Sequence, residues 1–516
     1  LVFQEWMLKS SYYAPLNSGG QFQDSIAGLP QQQQWSIMER INSRNGCHFF
    51  TACHSCRPTS SYVIDFSAED FTRFIPEFRY RCRLVGDRLS RYDWALELDS
   101  VQLAFVELVD GQAKAVIHIF AQGAPSHIDT WDPKPMLTRM DGKAIQGKEI
   151  ALGSPFTFSK YGQSGLEVSS VFAKTAAHAD DLAVIRSMWT DIPAHEVATV
   201  FMNTGSLRLA KPSMGSWLVY GLGTENQNLP GFIALRSGNL PLGGAMNYQS
   251  AFLPGAFQGT SIDTRAPSVP QMIQNIRNSY LSGKEQRRQL DFVHQLNELH
   301  AHNLQRDAAL ETRLESYEIA FRMQAEAMDA FDINKESAET RAAYGSTDQG
   351  KQLLLARRLV ERGVRVVQVW HNGWDHHQQL QTRLAQKAGE IDGPLSALLS
   401  DLKQRGLLDS TLVVWGGEFG RKSTRDRNGY DVPGRDHNAR AFSVVLAGGG
   451  IKGGTVHGAT DEFGSAAVQD KVHPHDLHAT ILHCMGLDHE KLTYRFNGRD
   501  FRLTDVAGNV VKPVLT

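Results

Sequence analysis

The chain has 516 residues, 41% hydrophobic and 21% charged, enough for a large buried core and for either one big α/β domain with insertions or two to three ordinary domains. A formal net charge of −2 and a pI near 6.9 exclude the basic footprint of a nucleic-acid binder. No apolar run approaches the roughly 18 to 20 residues that span a bilayer, so no membrane span is expected.

Residues 1–105 read as an irregular leader without an assigned role: a Gln31–Gln34 run, scattered aromatics and no sustained period, with short helices near Phe66–Phe78. The first residues, Leu1 to Lys9, lack the basic and apolar blocks of a secretory signal. Cys47, Cys53, Cys56 and Cys82 fall in this leader, and Cys484 stands apart in a predicted helix. Cys53 and Cys56 form a CxxC, but Arg57 stands where a c-type haem site has His, and no second CxxC completes a zinc pattern. Incidental thiols are the expectation.

The ordered domain is placed at 106–516. Ala113–Ala121 is β-rich and runs into a polar loop through Asp132, and Leu182–Ser187 repeats the arrangement, with Trp189–Glu196 leading into a helix at Val197–Met202. Between 269 and 344 the pattern becomes that of long helices, a predicted helical insertion, with Leu310, Leu314, Tyr317 and Phe321 on one face and Leu290, Val293, Leu296 and Leu299 on another. A helix over Gln352–Arg362, stopped by Gly363, feeds the strand Val366–Trp370, which delivers His371, Asp375, His376 and His377 at its end. A helix over Gln378–Arg405 follows, then the strand Ser410–Trp415 ending in Gly416–Arg421, the segment Gly434–Asn438 and the strand Phe442–Ala447. His473–Gly486 reads as a helix with Asp476 as its N-cap and its histidines as surface or packing groups.

Strands alternating with helices predict a doubly wound, mostly parallel sheet, in which ligands bind beyond the carboxyl ends of the strands. Those ends carry Asp129, Asp191 with His195, Asp375 with His376 and His377, Glu418, and Asp436 with His437. Carboxylates and imidazoles converging on one rim suit a divalent cation, oxygen ligands favouring calcium, magnesium or manganese and imidazoles favouring zinc.

Several blocks carry a resemblance: GxPSHxDTxDPKP at Gly123–Pro135, SMxTDIPxHE at Ser187–Glu196, KPSMGSW at Lys211–Trp217, YGLGTENQNLPGF at Tyr220–Phe232, WDHH at Trp374–His377, WGGEFGR at Trp415–Arg421 and GRDHN at Gly434–Asn438. From about 113 to 516 the chain resembles the sulfatase-like domain-of-unknown-function 1501 family, itself similar to the alkaline phosphatase superfamily of metal-dependent phosphate and sulfate ester hydrolases. The resemblance implies that superfamily's fold and a periplasmic or secreted setting. It puts Asp375 at a metal-binding Asp, His376 or His377 at its His partner and His437 at the late metal-binding His. Glu418 takes the place of the Asp in an Asp-His-Gly turn, with Phe419 replacing that His, and Ser126, His127 or Asp129 stands in for the Asp that usually ends the first strand. The sulfatase nucleophile motif is absent, and the equivalent loop carries Thr190, Asp191 and His195.

The function expected from this is hydrolysis of sulfate or phosphate esters, small or polymeric, at a divalent metal ion. Thr190 or a metal-activated water would attack, Arg186, Arg421 or Arg435 would neutralise the anion, and His195 or His127 would donate the proton. The alternative is a non-catalytic binding protein that keeps the fold.

Overall fold

The computed structural model describes residues 111–516 apart from 209, 274–279 and 305–307. The expectations for the leader, its short helices and its four cysteines fall outside the described residues. The strands that matter are β1 (Ala115–Gln122), β2 (Leu182–Met188), β3 (Phe232–Arg236), β4 (Thr260–Asp263), β5 (Val366–Asn372), β6 (Thr411–Gly416), β7 (Gly420–Arg425), β8 (Arg435–Asn438), β9 (Phe442–Ala447) and β10 (Thr455–His457). Eight of them form one sheet in the order β10-β2-β9-β6-β1-β5-β3-β4, and β7 pairs with β8 in a separate hairpin.

Every pairing in the large sheet is parallel except those of β9, which runs antiparallel to both β6 and β2. The expected mostly parallel sheet is therefore what forms, made mixed by β9. The exception has a use: the carboxyl ends of β1, β2, β5 and β6 and the amino end of β9 share one edge.

Central strands of such a sheet are covered on both faces, which is why β1 and β6 are buried at every residue. On one face Ile117, Ile119, Val367, Val369, Val413 and Trp415 pack with Leu353, Leu359, Leu384, Ile391 and Leu398 from the helices α6 (Asp348–Glu361) and α7 (Leu380–Gln404). α6 starts at Thr347, whose hydroxyl accepts from the Gly350 amide, and it is stopped as predicted by Gly363, at φ +81°. The other face lies under α1 (His195–Thr204), α2 (Met214–Leu222) and α8 (Pro474–Cys484). At α8 the expected cap is displaced: His473 is the N-cap, and Asp476, three residues on, accepts from its backbone amide as the other half of a capping box.

Between 269 and 344 lie a short turn of helix at Val269–Met272 and the helices α3 (Gly283–Leu304), α4 (Ala308–Ala330) and α5 (Ala338–Tyr344). Leu314, Met323, Ala327 and Ala330 of α4 are buried, whereas Leu296 and Leu299 of α3, two of the predicted apolar stripe, are exposed.

Two histidines lie inside this second layer. His118 of β1 contacts Gln368, and His478 of α8 donates to the Met202 carbonyl at 2.7 Å. Burial pulls His118 down from 6.5 to about 4 and His478 to about 3. Above 6.5 neither folded nor unfolded chain protonates them. Below 6.5, down to about 4 for His118 and about 3 for His478, the unfolded chain takes up protons that the folded one refuses, so stability is lost as the pH falls, by up to roughly 1.4 kcal/mol per unit for each histidine. Urea denaturation at about pH 7 and about pH 5 should show this loss, and His118→Gln should lessen it; a wild type equally stable at both would rule the effect out.

Candidate metal centre

Four segments meet at the shared sheet edge. Beyond β2 the chain turns into α1, whose first residue is His195. Beyond β5 it turns through Gly373 to Asp375 and His377, and beyond β6 it passes Glu418 into the hairpin, where Arg421 of β7 stands opposite His437 of β8. The loops lock together because glycines let backbone approach backbone. A Cβ on Gly123, at φ +107°, would lie 2.7 Å from the amide nitrogens of Trp374 and Asp375, and one on Gly434 would lie 2.3 Å from the His376 carbonyl.

One oxygen, Asp375 Oδ1, is the focus. His377 Nε2 lies 2.9 Å from it, His195 Nε2 3.3 Å and His437 Nε2 3.5 Å. His377 Nε2 and His437 Nε2 are themselves 3.0 Å apart. Each ring is held from behind at Nδ1: His195 by Glu418 Oε1 at 2.5 Å, His377 by Asp426 Oδ2 at 2.5 Å and His437 by the Pro193 carbonyl at 2.9 Å. Carboxylate and carbonyl oxygens only accept, so in the neutral rings Nδ1 carries the hydrogen and Nε2 presents a lone pair. Three lone pairs thus converge on one carboxylate oxygen.

That arrangement is repulsive unless a cation lies among the donors. Protons are one answer: burial opposes it, but Asp375 and Glu418 on either side hold His195 up at about 9. Burial likewise opposes ionisation of Asp375, yet His195, His437 and Arg421 keep its carboxyl far below the ordinary range. A metal ion is the other answer. Donors about 2.0–2.1 Å from a tetrahedral ion are about 3.3–3.4 Å from each other. Four of the separations, 2.9, 3.0, 3.3 and 3.5 Å, bracket that edge; His195, Asp375 and His437 all offer atoms within 4.8 Å of one another, whereas His377, on the far side of Asp375, groups with Asp426 and Asp436. Oriented imidazoles with an acceptor on the far nitrogen are the usual surroundings of a metal-binding histidine.

The structure therefore brings together His195, Asp375, His377 and His437, with Glu418 one step behind. His195, expected as a catalytic group, stands among the donors. Glu418 is wholly buried and gives its carboxylate to His195 and to the Gly123 amide at 2.9 Å. Asp436 lies at the rim with one oxygen on the His437 amide and the other on Lys422 Nζ at 3.0 Å.

Other expected residues have partners elsewhere. Asp129 and Arg435 are both fully buried and paired, Nε to Oδ2 at 2.7 Å and Nη2 to Oδ1 at 3.0 Å, so the carboxylate expected on a metal and the guanidinium expected on an anion satisfy each other. Arg421 is 1% exposed and donates to Asp375 and to the carbonyls of Gly123, Ala124 and Arg435, which makes it the anchor of Asp375 rather than a substrate clamp. Arg186 donates to the Trp131 carbonyl at 2.8 Å. Asp191 pairs with His473 at 2.9 Å, His127 is buried against the Gly464 carbonyl, and Ser126 bonds Asp129. His376 is buried behind Trp374 and reaches a surface pocket instead of the donor ring. The Thr190 hydroxyl, 3% exposed, has no partner among the described residues.

Sequence reasoning missed Asp426, which is one more acid in a polar loop until the hairpin folds it under His377. It also missed Arg383 and Lys387, whose signal was available: a basic i, i+4 pair in the first turns of the helix that follows WDHH.

A family described as "Protein of unknown function (DUF1501)" matches residues 113–515. Among solved structures, the chain is similar to Ps i-CgsB in complex with k-i-k-neocarrahexaose, at 10% identity and TM-score 0.35, over 73% of this chain and 72% of that one. It is similar to the PsFucS1 sulfatase from Pseudoalteromonas sp., at 13% identity and TM-score 0.32, over 73% and 68% of the two chains. A protein in the alkaline phosphatase superfamily from Vibrio parahaemolyticus matches at 8% identity and TM-score 0.32, over 75% and 71%.

Proposed function

The chain belongs to the DUF1501 family, and from that premise we propose that it is a metal-dependent hydrolase of sulfate or phosphate esters, with His195, His377, His437 and Asp375 holding the ion. The observation that carries the reading is the convergence of three Nε2 lone pairs on one carboxylate oxygen, each ring fixed by an acceptor at Nδ1. Three imidazoles and one carboxylate favour zinc or a similar transition ion over calcium or magnesium. When bound, such an ion supplies Lewis acidity and lowers the pKa of coordinated water.

The chain's own groups set the rest. Glu418, Asp426 and the Pro193 carbonyl keep the rings aimed, and Arg421 holds Asp375 in place from below. The four groups that would hold the ion are unequally covered. Asp375 is 42% exposed against 14%, 24% and 23% for His195, His377 and His437, so substrate and water would reach the site from its side. The nucleophile is a water on that side or the Thr190 hydroxyl, which is buried and without a partner among the described residues.

The test is turnover of aryl sulfates, phosphate monoesters and diesters by the zinc-, manganese- and calcium-loaded protein, alongside Thr190→Ala. Turnover with zinc that survives in Thr190→Ala assigns attack to water; loss by about 10³-fold or more assigns it to the threonine. No turnover of any ester with any metal would overturn the hydrolase reading in favour of a binding protein.

A further inference from the structure

Beside the centre, a pocket of about 370 Å³ opens at the surface, lined by Gly373, Asp375, His376, Arg383, Gln386 and Lys387. Asp375 is the one donor of the ring that reaches it, through the exposed side of its carboxylate. The opposite wall is the start of α7. The buried face of that helix, Leu384, Ala388, Ile391 and Leu395, docks on the sheet, which turns Arg383 and Lys387, one helical turn apart, outward along a single stripe.

The charges on this wall are not balanced. Arg383 contacts Gln379 Oε1 at 3.2 Å and has no carboxylate partner among the described residues. Lys387 pairs with Glu390 at 2.8 Å, but that carboxylate also accepts from His371. The carboxylate in the pocket, Asp375, is already engaged by Arg421 and the three imidazoles. α7 is 25 residues long, with no acidic residue in its first turn and no side-chain cap, so its own positive end adds to the field. His376 lines the same pocket, 4% exposed, and its Nδ1 has no partner among the described residues. No Phe, Tyr, Trp, Leu, Ile, Val or Met side chain lines the pocket; charged and polar side chains with one imidazole and one glycine do.

The geometry points to a second anion subsite: the substrate is a polyanionic ester whose scissile group meets the centre while a neighbouring sulfate, phosphate or carboxylate lies between Arg383 and Lys387. The volume exceeds what one oxyanion fills and is at the lower end of pockets that hold a small molecule, as a sugar-sized unit would be. Arginine provides the planar fork that pairs with an oxyanion, and lysine the point charge beside it.

This rests on the hydrolase reading, and its test separates the two. The zinc-loaded full chain is titrated calorimetrically with sucrose octasulfate, a probe with many anions, and with sodium sulfate, which has one. Wild type, Arg383→Gln/Lys387→Gln and the charge-preserving Arg383→Lys/Lys387→Arg are compared at fixed ionic strength. The neutralised variant should bind the octasulfate about tenfold or more weakly, the charge-preserving variant within about threefold of wild type, and zinc content should be unchanged in all three. Octasulfate binding equal in wild type and the neutralised variant, or no tighter than that of sulfate, overturns the subsite. Failure of the hydrolase reading has another signature: no ester turned over, with Arg383-dependent octasulfate binding intact.

Discussion

Asp375→Ala should leave the purified protein with almost no bound ion. Its carboxylate oxygen is the point on which His195, His377 and His437 converge, and removing it leaves three imidazoles that repel one another when neutral and have no counter-charge when protonated. Loss of an outer-shell partner of a metal-binding histidine costs about 10–100-fold in metal affinity, so removing the carboxylate itself should cost about 100-fold or more. Elemental analysis after dialysis, with chelator competition for the affinity, reads both. Asp426→Asn is the graded companion. It keeps the shape behind His377 but takes away the charge, and it should fall in that 10–100-fold window while about one equivalent of zinc still binds when zinc is in excess. Wild type and Asp375→Ala with the same zinc content would sink the centre and return these residues to the role of ion pairs.

Asp129→Ala should do something different: unfold the protein more easily and leave its metal alone. The carboxylate and the Arg435 guanidinium meet with two hydrogen bonds at zero exposure, so removing one strands a buried charge, at a cost of about 3–5 kcal/mol. Urea denaturation measures the cost. A double variant, Asp129→Leu with Arg435→Met, should recover much of it, because a buried ion pair is often no more stabilising than an apolar pair of similar size. Full stability with lost zinc in Asp129→Ala would make Asp129 a ligand after all.

These two residues show where the sequence could be read and where it could not. Both lie near a strand end and both are aspartates in a His-rich block; what separates them is a partner 306 positions away that no local pattern announces. The same holds for the arginines. Arg421 and Arg435 are full of hydrogen bonds to backbone carbonyls, and composition cannot tell such an anchor from an anion clamp. The fold was more legible because central parallel strands are apolar throughout: β1, β2, β5, β6 and β9 were all found within one or two residues. β3 and β4 toward the sheet edge were not, nor was the hairpin, whose strand Gly420–Arg425 is GRKSTR and owes its shape to pairing with β8 rather than to an apolar rhythm.

Strand β9 has a consequence for how the molecule is made. It sits between β2 and β6, and β2's other neighbour is β10, so both partners of β2 come later in the chain than β2 itself. During synthesis β1, β5, β3, β4 and β6 can assemble as one ribbon, while β2 waits, unpaired, until the ribosome has passed Phe442. His437 lies five residues before that point and His195 just past β2. The same insertion that knits the sheet thus brings the early and late donors face to face, at the price of a long loop closed late. Strand order makes assembly of the donor ring one of the last acts of folding.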